Sequence, residues 1–70
     1  MNIVDYHIAP RLNGGWLATN GSDGRVAVRG ITYEDVTNRT IELARRWNGH
    51  VWVHRSDGSV EELCLDHDHQ

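Results

Sequence analysis

Lysine is absent from this 70-residue chain, and all seven basic side chains are arginine. Codon usage in a GC-rich bacterial or phage genome produces such a set, so it is no evidence of selection for guanidinium chemistry. Ten acidic residues outnumber the seven basic ones, and the formal net charge of −3 argues against strong nonspecific nucleic-acid binding. Cysteine occurs once, as Cys64. That excludes an intramolecular disulfide and suits a reducing, cytoplasmic setting. No apolar run approaches the roughly 20 residues that span a bilayer. Met1 to Asp5 lacks the basic and apolar segments of a signal peptide. A soluble, intracellular protein is expected, with no membrane partner. A chain of this length holds one domain and buries only about 60% of its unfolded surface, which leaves a thin core. Good packing, self-association or a metal must supply what a disulfide does not.

What is present is a clear alternation of patterns. In Ile3 to Ala9, Val4, Tyr6 and Ile8 alternate with Asp5 and His7, which predicts a half-buried strand ending at Pro10. Asn13-Gly14-Gly15 predicts a turn, because Asn and Gly tolerate positive φ. Trp16 to Thr19 follows as a second strand. Asn20 to Gly24 then turns the chain into a third, Arg25 to Arg29, completing an antiparallel meander.

A helix comes next. Thr32 is placed to cap it, with Asp35 three residues later in the manner of a capping box. Glu34 and Asp35 sit where the helix dipole favours negative charge, and Arg45 and Arg46 where it favours positive. Val36, Thr40, Leu43, Ala44 and Trp47 recur at helical spacing as the core stripe, flanked by Ile41. Gly49 is the expected stop. His50 to Arg55 alternates again, Ser56-Asp57-Gly58 makes a turn, and Ser59 to Leu65 returns as the last strand. The expected fold is α+β: an antiparallel sheet of four to five strands with one helix on one face, in the order βββαββ. One domain covers residues 1–65, and the polar tail 66–70 is expected to fray. Ser22-Asp23-Gly24-Arg25-Val26 and Ser56-Asp57-Gly58-Ser59-Val60 share a pattern, which the demands of hairpin turns explain without a repeat.

Several of these segments also carry a resemblance. Tyr6-His7-Ile8, Pro10, Gly14-Gly15-Trp16, Ile41, Ala44-Arg45 and above all Val51 to Val60 lie in the order and spacing of a small bacterial and phage family of unknown function (DUF2188-like). Its hallmark is Val-x-Val-His-x-x-Asp-Gly. Between Asn20 and Val36 the chain differs, since the family usually shows a shorter connection and an Ala-rich helix start. The resemblance implies a small sheet-and-helix domain and assigns no activity.

No catalytic motif stands out. His54 and Asp57 resemble an acid–base pair, yet a domain this small scarcely encloses a substrate pocket. The turn explains them better: Asp57 caps its own backbone while His54 bonds across the hairpin. Cys64 lies beside Glu61 and Glu62, whose charge opposes thiolate formation. No glycine pattern has the spacing of a nucleotide loop, and no cofactor is expected. His7, His50 and His54, or the tail Asp66-His67-Asp68-His69, invite a metal, but the set lacks cysteine and the tail offers no preformed geometry. No specific metal site is expected.

Strand periodicity is more informative. With Val51 and Val53 facing the helix, His50, Trp52 and His54 point the other way, and Asp5 and His7 point outward with them. One helix covers one side of a sheet. His7, His50, Trp52 and His54 are therefore the interaction-surface candidates, with Trp52 as anchor. The leading expectation is a nonenzymatic protein–protein module that self-associates as a dimer. A second is nucleic-acid binding through Arg39, Arg45, Arg46 and Arg55, with Arg25 and Arg29 in support and exposed aromatics stacking on bases. A third is a phage-type inhibitor that docks on a host protein.

Overall fold

β-Branched and aromatic residues alternating with polar ones build five strands around one amphipathic helix. The structure is a computed structural model and describes residues 4–63 and 65. Strand β1 is Asp5–Pro10, β2 is Trp16–Asn20 and β3 is Val26–Gly30; helix α1 is Tyr33–Arg46; β4 is His50–His54 and β5 is Val60–Leu63. The expected βββαββ order and α+β class are what the structure shows. Cys64 and residues 66–70, including the acidic and histidine-rich tail, lie outside the described residues.

The sheet runs β3-β2-β1-β4-β5. Three of its pairings are antiparallel, whereas β1 and β4 pair in parallel, His7 beside Trp52 and Ile8 beside Val53. Parallel neighbours need a crossover, and α1 supplies it. A bulge between Ala18 and Thr19 bends the β3 edge, where Thr19 pairs with Val26. The other edge, β5, is four residues long and carries Glu61 and Glu62. A bulge on one edge and short length with charge on the other both discourage edge-to-edge pairing.

Thr32 caps α1 as expected, its hydroxyl accepting from the Asp35 N–H at 3.1 Å. The capping box is half closed. The Asp35 carboxylate turns to Arg39, 2.5 Å away, and not back to the cap. At the other end the stop differs from expectation. Asn48 takes the left-handed conformation, φ 54°, and the Gly49 N–H reaches back to the Ala44 carbonyl at 2.7 Å. That bond and the longer one from Asn48 to Arg45 form a Schellman closure. Gly49 is needed for a different reason: a Cβ there would strike the carbonyl of Val4, where the chain enters β1.

The core is Tyr6, Ile8, Ala18, Val28, Val51 and Val53 from the sheet, with Val36 and Ala44 from the helix. Burying each Ile or Val side chain contributes roughly 1.5–3 kcal/mol, and Ile8 of β1 with Val51 and Val53 of β4 are fully buried. Trp16 and Tyr33 close one end of the core edge to face, ring centroids 5.0 Å apart. Trp47 is not part of it. The helix ends at Arg46, Trp47 takes the cap position at φ −110°, and its side chain is 57% exposed. The apolar spacing that placed it in the stripe holds only while the chain stays helical.

Candidate functional site

α1 packs across β1 to β4 from one side, and no described element covers the other. On that bare side alternation places Leu17 and Thr19 of β2, His7 of β1, Trp52 and His54 of β4, and Val60 of β5. Their neighbours Ala18, Ile8, Val51 and Val53 are buried beneath α1. Trp52 is half-buried among them, beside His7 on one strand and Glu62 on the other. Val60, level with His54, is 53% exposed.

The polar groups of this face are largely paired with each other. His7 Nδ1 lies 2.9 Å from His54 Nε2, with ring centroids 5.1 Å apart. This contact replaces the cross-hairpin bond expected of His54. The partner is on β1, because the parallel register puts His54 two residues past Trp52, diagonally ahead of His7. His50 turns away to Glu62, Nδ1 to Oε2 2.7 Å. The three histidines therefore do not converge on one point, and among the described residues no group of three or more His, Cys, Asp or Glu is placed to hold a metal.

Ser56, Asp57 and Gly58 form the turn. Gly58, at φ 93°, donates to the Arg55 carbonyl, and Arg55 N–H to the Ser59 carbonyl. The Asp57 carboxylate accepts from the Ser59 N–H at 2.9 Å and the Ser59 hydroxyl at 2.7 Å. Those two bonds hold its pKa below the ordinary carboxylate value. All of this is turn chemistry. The first hairpin has the same backbone pattern, with Gly14 donating to Arg11 and Arg11 to Gly15. The structural echo in the chain is thus between residues 11–15 and 55–59. The Ser-Asp-Gly at 22–24 sits in a longer loop closed by Asn20 and Arg25.

The arginines of the nucleic-acid reading are dispersed. Arg39 is held by Asp35 and by the Arg29 carbonyl on β3, and Arg55 pairs with Glu61 on β5 at 2.7 Å. β3 and β5 are opposite edges of the sheet. In both, the hydrogen bond to the carboxylate raises the guanidinium pKa further. Arg45 and Arg46 lie in the last turn of α1, and Arg45 is engaged in an interaction of its own.

One feature had no signal in the linear pattern. Between the loop after β1 and the end of β3 is a cleft of about 420 Å³ lined by Arg11, Gly14, Gly15, Arg29 and Ile31. The order β3-β2-β1 brings these distant residues to one end of the sheet.

Among the described residues no helix is long and apolar enough to cross a membrane. No family model, curated protein or solved structure matches the chain.

Proposed function

We propose that this chain is a small nonenzymatic interaction module that associates with a second copy of itself through the sheet face opposite α1. The observation that carries this is Trp52, the largest apolar side chain on a face that no described element covers, seated on a strand with neighbours on both sides. Leu17 and Val60 extend the apolar surface on either flank. Aromatic anchors ringed by polar groups are the usual centre of such contacts.

The polar groups support it too. Burying a polar atom without a partner costs roughly 1–3 kcal/mol. Here His7 Nδ1 pairs with His54 Nε2 and His50 Nδ1 with Glu62 Oε2, so these atoms would enter an interface with partners already in place. A two-fold dimer would set the same face against itself.

Size-exclusion chromatography with light scattering tests the reading. The expected mass is twice the 8.0 kDa of the chain across the micromolar range. Trp52→Ala should return the monomer with its circular dichroism intact. A wild-type monomer throughout that range overturns the proposal.

A further inference from the structure

We propose that the cleft at the loop end of the sheet binds an organic oxyanion, a phosphate monoester or a carboxylate, between Arg11 and Arg29. Its volume, about 420 Å³, falls within the range of small-molecule sites. The site is built, in that the two segments close only because of glycine. A Cβ on Gly15, which is at φ 82°, would lie 2.8 Å from the Gly30 carbonyl oxygen.

Its charge is unlike the rest of the molecule. The chain carries net charge −3, yet no Asp or Glu lines the cleft. Arg39 and Arg55 are tied to carboxylates, whereas neither Arg11 nor Arg29 has an ion-pair partner among the described residues. Asp35 comes near Gly30 from the helix side, but Arg39 already meets its charge. Two guanidinium groups present the planar donor forks that match phosphate or carboxylate oxygens. Asn13 adds an amide to the lining.

The remaining wall indicates the shape of the ligand. Ile31 lines the cleft and is 85% exposed, and Leu12, on the adjoining loop, is fully exposed. Singly, exposed aliphatic residues mean little. Two beside one basic cleft fit a ligand whose anionic head lies between the arginines and whose carbon skeleton lies along Ile31.

The test is an ¹⁵N NMR titration of the full chain with phenyl phosphate, with benzoate, and with inorganic phosphate, all at constant ionic strength. Saturable shifts of the Gly14, Gly15 and Gly30 amides, with Gly58 unmoved, support the site. Whichever of phenyl phosphate and benzoate saturates first identifies the head group. Inorganic phosphate should bind more weakly than phenyl phosphate, since it lacks the apolar body. Arg11→Gln and Arg29→Gln should each weaken binding about tenfold. Both positions are exposed, so their spectra report whether the fold is kept. Absence of saturable shifts, or equal shifts in wild type and the double variant, overturns the proposal. Arg29 lies opposite Leu17 in the β2–β3 pairing, so the titration is repeated on Trp52→Ala, where the same shifts support the cleft whatever the oligomeric state and their loss overturns it.

Discussion

His7 Nδ1 and His54 Nε2 face each other at 2.9 Å across the parallel seam between β1 and β4, so one ring donates and the other accepts a single proton. Replacing either with phenylalanine keeps a ring and removes the bond. In a double-mutant cycle read by urea unfolding, the coupling should be about 0.5–1.5 kcal/mol. Additive single effects at neutral pH would show that the contact contributes nothing.

Two buried threonines on α1 make opposite predictions. The Thr40 hydroxyl donates to the Val36 carbonyl at 2.7 Å, whereas the Thr37 hydroxyl oxygen is buried with no partner among the described residues. Thr37→Val removes an orphaned polar group at the same shape and should stabilise the fold by about 1 kcal/mol; Thr40→Val should destabilise it by a similar amount. Thermal or urea midpoints moving the same way for both would contradict this reading.

Acid sensitivity should appear at Asp57. Its pKa is held below the ordinary 3.8, chiefly by the Ser59 backbone N–H and then by the Ser59 hydroxyl. A carboxyl lowered in the folded state contributes stability that is fully present above the unfolded value and lost as the pH falls through the folded one. The hairpin therefore keeps this contribution at neutral pH and loses it below about 3.8. A ¹³C carboxyl titration should place the Asp57 midpoint under that value. A midpoint at or above it would mean that the two bonds are not formed in solution.

Glycine is required at Gly49 and Gly58 for different reasons, and alanine separates them. Gly58, at φ 93°, has open space around it, so Gly58→Ala should cost only the left-handed strain, about 1–2 kcal/mol. At Gly49 an added methyl meets the Val4 backbone, which cannot swing aside like a side-chain tip. Gly49→Ala should be the more damaging, at about 3 kcal/mol. The reverse order of urea midpoints would refute the distinction.

Much of the fold is legible in short-range patterns. Period-two alternation marks the strands and separates Val51 and Val53 from Trp52. Thr32 announces the helix start, and the Asn-Gly and Asp-Gly steps announce the turns. What escapes is whatever depends on pairing between distant segments. Nothing local in Ile3 to Ala9 or His50 to Arg55 says that these strands are parallel neighbours. The His7–His54 contact follows from that register and is hidden with it. Trp47 and Gly49 mislead because periodicity does not say where a helix stops, and the left-handed residue proves to be Asn48. The arginine cleft joins two loops whose meeting requires the strand order β3-β2-β1.

That strand order also has a consequence for synthesis. β1 is made before the other four strands yet lies at the centre of the sheet, and its second neighbour, β4, begins only at His50. While a ribosome is extending the chain, β1 can pair with β2 as soon as both emerge, but its other side stays open through the making of β3 and the whole of α1. A chain ending after residue 49 would thus carry a central strand as an exposed edge, with Tyr6 and Ile8 only partly covered, the kind of edge that recruits other chains. Premature release before β4 is where this protein should be prone to aggregate.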